Sequence, residues 1–101
     1  MRITVTGQQV QVGEALRDYA QTRLGEGVGK YFDGAIEGHV AFSREGPLLR
    51  TQIKVRVGKG MTWESHAEAA DINISFNSAV DHLEKQLRRY KRKRREHSRR
   101  T

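Results

Sequence analysis

The sequence predicts an α+β domain whose elements follow the order β-α-β-β-β-α. Four segments alternate apolar and polar residues, which is typical of strands with one buried face. They are residues 2–6, 36–43, 49–57 and 61–69. Two segments, 14–24 and 76–90, repeat apolar residues at the spacing of an amphipathic helix. Strands joined by short turns form a mostly antiparallel four-stranded sheet, and the two helices are expected to pack on one face of it.

The first strand and the first helix lie in residues 2–24. The strand is expected to end at Gly7, and residues 10–12 form a second extended piece before the helix. The helix runs over 14–24, and the glycine-rich segment 25–34 is expected to end it. This segment is not a P-loop, because its glycines are one residue too close, Tyr31 follows the lysine and a helix precedes it.

Turn residues at 44–47 and 58–60 separate the next three strands. Trp63 lies on the inward face of the last strand, where core packing is a better explanation than base stacking. The outward face contains metal-competent groups at Glu64, His66 and Glu68, but strand alternation alone produces that pattern. No nucleophile, base and orienting group would meet, so we expect no enzyme, no cofactor and no metal.

The final helix contains an apolar stripe that stops at Tyr90. Asp71, Asn73 and Ser75 are candidate caps for its start. After Tyr90 the stripe register holds Arg94 and His97, so 91–101 is expected to be a basic helix extension or a frayed tail. The stripe consists of Phe76, Val80, Leu83, Leu87 and Tyr90.

Positive charge is concentrated in the last 17 residues. Residues 85–101 hold ten basic residues and Glu96, a net +9, whereas the chain is +7, so residues 1–84 sum to −2. Neighbouring like charges on one helix repel each other, which indicates a partner with dense negative charge. Nucleic acid is the first candidate, a membrane surface or acidic protein the second, and a solvated tail the remaining explanation.

The composition is that of one domain of 101 residues without cysteine. There is no apolar run long enough to span a membrane and no signal-peptide pattern at the start, so we expect a cytoplasmic protein. An arginine-rich helix with a second basic strip at Lys54 and Arg56 favours phosphate contacts to structured RNA over single-strand stacking.

Three segments resemble the ribosome hibernation-promoting factor family, whose members are also called ribosome-associated inhibitors or sigma-54 modulation proteins. They are VTGQQVQVGEALRDY (5–19), KYFDG (30–34) and the stretch HAEAADINISFNSAVDHLEKQLRRYKRKRREH (66–97). The resemblance follows the whole chain in order and implies a fold similar to a double-stranded-RNA-binding domain.

The resemblance also implies a function. Such proteins bind the small ribosomal subunit at the decoding region, block mRNA and tRNA, and silence translation in stationary phase or stress. The basic residues that it places against ribosomal RNA are Lys85, Arg88, Arg89, Lys91, Arg92, Arg23 and Lys30, with secondary contacts from Lys54, Arg56, Arg94 and Arg95. Arg17, within the matched segment, is expected either to join them or to pair with a carboxylate.

Three questions stay open at this stage: the function, the length of the whole protein and the ribosomal partner. A general structured-RNA-binding module would bind free duplex RNA about as well as ribosomes, and a basic adaptor would bind an anionic membrane or an acidic protein instead. The chain is either a short family member or the N-terminal domain of a long one. Its ribosomal partner is the small subunit alone, intact ribosomes or ribosome dimers.

Overall fold

The computed structural model describes residues 1–58 and 60–100, with side chains in that range through Arg94. The elements are β1 (Arg2–Gln8), α1 (Glu14–Gly29), β2 (Ala35–Glu45), β3 (Leu48–Val57), β4 (Met61–Ala69) and α2 (Ile72–Arg100). The predicted order of elements is therefore confirmed. Thr101 and the side chain of Arg95 lie outside the described residues.

The four strands form one sheet in the order β1-β2-β3-β4. β1 runs parallel to β2, with Val5 opposite Val40, and the other two pairings are antiparallel. The mostly antiparallel sheet is thus confirmed. α1 packs over β1 and β2, and α2 packs over β3 and β4.

The core lies between the helices and the inward side chains of the sheet. Val40, Phe42, Ile53 and Val55 are fully buried there. The predicted stripe of α2 meets them: its first four residues are fully buried, and Tyr90 is half-buried. Burial of each such side chain contributes about 1.5–3 kcal/mol, so the stripe fixes how α2 is rotated about its axis.

Two predictions near the start of the chain were wrong. β1 continues through Gln8, and the expected second extended piece at residues 10–12 is not a strand, because residues 9–10 form a bend and residues 11–13 belong to no helix or strand. The chain folds back closely here, since a Cβ at Gly7 would lie 2.5 Å from the Val10 carbonyl oxygen. Gln9 accordingly adopts a left-handed φ of 58°.

We expected the glycine-rich segment to end α1 at Leu24. This prediction was wrong, because the helix continues to Gly29. Gly27 and Val28 are both buried in this added turn. A Cβ on Gly27 would lie 3.0 Å from a carboxylate oxygen of Glu84 on α2. Here glycine therefore permits a close approach between helices, and tertiary packing offsets its low helix propensity.

Side chains of the two helices contact two backbone carbonyl groups on each edge strand. On β1, Arg17 donates to Val5 O at 3.0 Å and Gln21 donates to Ile3 O at 3.3 Å. On β4, Gln86 donates to Glu64 O at 2.9 Å, and the His82 ring lies 3.0 Å from His66 O. These contacts protect edges that could otherwise pair with another strand. Arg17 therefore bonds to a backbone carbonyl, not to the carboxylate that we expected as one alternative.

The start of α2 is fixed by one cap and one buried chain of hydroxyl groups. Of the three candidate caps, Asp71 is the cap: its Oδ1 accepts from the N–H groups of Asn73 at 2.8 Å and Ile74 at 3.1 Å. Ser75 Oγ, which is buried, donates to Ala67 O at 3.1 Å and lies 2.8 Å from Thr51 Oγ1. Because a serine hydroxyl has a single proton, Thr51 is the donor to Ser75.

This direction of donation predicts unequal costs for two small substitutions. Ser75→Ala leaves a buried hydroxyl and a buried carbonyl without their partner, so we expect it to lower the free energy of unfolding by about 1–3 kcal/mol. Thr51→Val keeps the shape and leaves the Ser75–Ala67 bond intact, so its cost is about 1 kcal/mol or less. Urea denaturation of both variants measures the difference, and an equal or reversed order would contradict the assigned direction.

Candidate nucleic-acid interface

The side of α2 opposite the buried stripe carries a row of exposed cations. We call this surface the basic helix face; it consists of Lys85, Arg88, Arg89, Lys91 and Arg92, all of which are exposed. Helical geometry produces it, because a stripe buried on the sheet turns the positions between its residues outward. Within it, Lys85, Arg88 and Arg92 lie opposite the stripe, whereas Arg89 and Lys91 lie on its two flanks.

Ion pairs distinguish three cations of the basic helix face from three cations of the open sheet face. On the open sheet face, Arg50 pairs with Glu68 at 3.0 Å, Lys54 with Glu64 at 3.8 Å, and Arg56 with Glu37 at 3.3 Å. On the basic helix face, by contrast, no carboxylate among the described side chains lies within ion-pairing distance of Lys85, Arg88 or Lys91. These three cations of α2 therefore have no carboxylate partner among the described side chains, unlike Arg50, Lys54 and Arg56.

The segment after α1 adds to this surface and forms a groove with it. The groove has a volume of about 390 Å³ and is lined by Lys30, Tyr31, Arg88, Lys91 and Arg92. Arg88 Nε donates to the Tyr31 hydroxyl oxygen at 3.4 Å. This hydrogen bond raises the pKa of Arg88, since it favours the charged form. Sequence reasoning identified the four cations but missed Tyr31, although it lies in the KYFDG segment beside Lys30.

An aromatic cluster holds this segment against α2. Phe32 stacks on Tyr90 with ring centroids 5.9 Å apart, and Trp63 meets Tyr90 edge-on at 5.1 Å. Trp63 is half-buried among these rings, which confirms its predicted packing role. The Lys91 ammonium lies 5.4 Å from the Phe32 ring centroid, close enough for a cation–π contact. The cluster therefore fixes where the groove forms.

A buried carboxylate on α2 binds two of the predicted cations. The side chain of Glu84 is 8% exposed, and its carboxylate lies 2.9 Å from Arg23 and 3.3 Å from Lys30. The short Arg23 contact is an ion pair and not a directed hydrogen bond, because the N–H groups of Arg23 do not point at the oxygen. Asp81 lies 3.6 Å from Arg23 on the outer side. Arg23 is thus engaged between the helices, while Lys30 remains 60% exposed.

Three of the secondary candidates, Lys54, Arg56 and Arg94, do not line the groove. Lys54 and Arg56 line a cavity of about 330 Å³ on the open sheet face, where both are paired. Arg94 folds back on Tyr90, with its Nη1 3.1 Å from the hydroxyl oxygen. Arg95 has no described side chain, so its predicted role stays a prediction.

The described part of the chain gives little support to a second anion site, a metal site or a membrane-spanning helix. A cavity of about 600 Å³ lies between the first strand and the end of α1, and its lining includes Asp33 but no lysine or arginine. Among the side chains that the structure describes, those of residues 1–58 and 60–94, no group of three or more histidine or carboxylate side chains is placed to hold a metal ion. No described helix combines the length and the apolar character that crossing a bilayer requires.

A family model described as "Sigma 54 modulation protein / S30EA ribosomal protein" matches residues 3–95. The chain is also 38% identical over 91 residues to a "Ribosome hibernation promotion factor" of Bradyrhizobium diazoefficiens, covering 90% of this chain and 45% of that protein. A "Ribosome hibernation promoting factor" of Salmonella typhimurium is 28% identical over 97 residues, covering 96% of this chain and 100% of that protein.

The fold is found in solved structures as well. The N-terminal domain of Protein Y from Thermus thermophilus superimposes with a TM-score of 0.78 at 31% identity, covering 89% of this chain and 99% of that domain. The chain spans 45% of the Bradyrhizobium relative's length and the whole of the Salmonella relative's. Sequence and structural similarity therefore agree over nearly all of this chain.

The position of Glu84 generates a stability prediction. Glu84→Gln removes the charge that faces Arg23 and Lys30, and because Arg23 is only 26% exposed, we expect the free energy of unfolding to fall by about 1–3 kcal/mol. Asp81→Asn is the matched control, since Asp81 is 67% exposed and farther from Arg23, and should change stability by less than about 0.5 kcal/mol. Urea denaturation compares them, and equal effects would show that the buried ion pair does not hold the helices together.

Proposed function

This chain belongs to the sigma 54 modulation protein / S30EA ribosomal protein family, and we propose that it is a ribosome hibernation factor that binds the small ribosomal subunit. It binds at the decoding region through ribosomal RNA, blocks mRNA and tRNA, and silences translation in stationary phase or under stress. Its action is occupancy of a site and involves no catalysis. The names of the relatives, from two bacterial species, support this role.

The observation that carries the proposal is the basic helix face. Its cations project from a single rigid helix, and those of the open sheet face are already paired with carboxylates. A helix with this charge density gains most from a surface of closely spaced phosphates, because binding releases the counterions condensed on the RNA. Ribosomal RNA presents such a surface.

Features of the sheet favour structured RNA over single strands. Proteins that read single-stranded RNA on a sheet stack bases on exposed aromatic side chains. Here Phe42 is buried and Trp63 is half-buried, both on the side that faces the helices. The open sheet face instead presents polar and charged residues such as His39, Gln52 and Lys54. Recognition then depends on the arrangement of phosphates in a folded RNA.

Two triple variants with the same net charge test which surface binds. In the first, Lys85, Arg88 and Arg92 are all changed to Gln; in the second, Arg50, Lys54 and Arg56 are changed to Gln. We expect the helix variant to lose most of its co-sedimentation with purified small subunits, and its slope of log affinity against log salt should fall by about 2–3. Each variant carries three fewer positive charges, so a difference between them cannot come from net charge.

The sheet variant should retain binding with a smaller loss, because its cations are already paired. Circular dichroism should be unchanged for both, since all six residues lie outside the buried core. Equal weakening by the two triples would show that binding is non-specific attraction. Normal binding by the helix variant would show that the assigned surface is wrong.

A further inference from the structure

The groove between α2 and the segment after α1 has the features of a site for a single anionic group. We propose that it binds one phosphate of the RNA backbone and that the Tyr31 hydroxyl donates a hydrogen bond to this phosphate. The inference deepens the proposed function and rests on it. It makes Tyr31, an uncharged residue, a binding residue of the interface.

The hydrogen-bond geometry leaves the Tyr31 proton available. In its described contact, the hydroxyl oxygen accepts from Arg88 Nε at 3.4 Å. A phenol hydroxyl can donate one hydrogen bond in addition to accepting, and none of the described hydrogen bonds uses Tyr31 as a donor. Arg88 retains its terminal N–H groups for the same ligand. Tyr31 and Arg88 can therefore donate together to two oxygens of one phosphate.

The charge of the groove favours an anion. Four of its five lining residues are cations, and the groove lining includes no carboxylate. The Glu84 carboxylate pairs with Lys30, but its single negative charge is shared with Arg23. The groove therefore holds an excess of positive charge that a phosphate would reduce.

Contacts within the protein fix several side chains of the groove. Glu84 holds the Lys30 ammonium, the aromatic cluster fixes Phe32 next to Tyr31, and Lys91 lies over the Phe32 ring. Side chains that are fixed beforehand lose less entropy on binding, so each contact contributes more to affinity. By contrast, Lys85 has no described hydrogen bond or ion pair that would orient it.

The size and position of the groove fit a backbone phosphate. Its volume of about 390 Å³ is more than ten times the ~30 Å³ that one water occupies in the liquid. A phosphodiester with its hydration can therefore enter. Arg88, Lys91 and Arg92 belong to both the groove and the basic helix face, so an RNA strand bound along the helix would pass over the groove. This continuity favours RNA over a free polyphosphate.

Removal of one oxygen atom tests the role of Tyr31. Tyr31→Phe should weaken binding to small subunits roughly tenfold, the loss expected for one hydrogen bond to a charged group, and should leave the salt slope unchanged because no charge is lost. Tyr19→Phe is the matched control: the Tyr19 hydroxyl also bonds to a side chain of α2, Asn77 at 2.7 Å, but lies outside the groove. Its affinity should equal that of the unchanged protein.

Further measurements distinguish a loss of RNA binding from a loss of stability, and RNA from other phosphate ligands. In NMR titrations of the unchanged protein, the Arg88 Nε–Hε resonance should shift with a short duplex RNA and respond more weakly to equal phosphate concentrations of tripolyphosphate. Unchanged affinity of Tyr31→Phe, or a loss matched by a lower urea midpoint, would overturn the role of Tyr31. A stronger response to tripolyphosphate would overturn the RNA assignment. If the unchanged protein binds duplex RNA in this groove but no small subunit, the proposed function fails and the phosphate site stands.

Discussion

The docking of the α2 stripe on the sheet is the interaction on which the rest of the structure depends. Phe76, Val80, Leu83 and Leu87 are fully buried, and this burial leaves α2 one stable rotation about its axis. Because side chains follow the helix period, the same rotation turns Lys85 and its neighbours outward. One helix thus supplies both part of the core and the whole basic helix face, and neither can move without the other.

Ion pairs within the protein determine which cations remain available to bind a partner. Glu84 faces α1 from the inner side of α2 and binds Arg23 and Lys30, and Gly27 gives it the space to do so. The open sheet face balances its own charges by cross-strand pairs. Lys85, Arg88 and Lys91 have no carboxylate partner among the described side chains, so ion pairing elsewhere helps to define the binding surface.

Much of this could be predicted from the sequence, because apolar periodicity reports burial directly. The order of elements and the stripe follow from it, and the concentration of charge can be counted directly in the sequence. The extent of α1 could not, because segment 25–29 has the composition of a helix end and only its contact with Glu84 explains a helical Gly27. Tyr31 was missed for a related reason: its role depends on a partner 57 residues away. Arg17 was left with two alternative partners and Arg23 was assigned to RNA, because a basic residue does not reveal in the sequence whether its partner is internal.

The most direct test of the central claim is competition on purified small ribosomal subunits. The protein is sedimented with subunits across a salt series, with and without bound mRNA and tRNA. If it occupies the decoding region through phosphate contacts, its affinity falls steeply with salt and pre-bound mRNA and tRNA prevent its binding. Binding that is unaffected by mRNA and tRNA would contradict the account, because the basic helix face would then contact RNA elsewhere on the subunit.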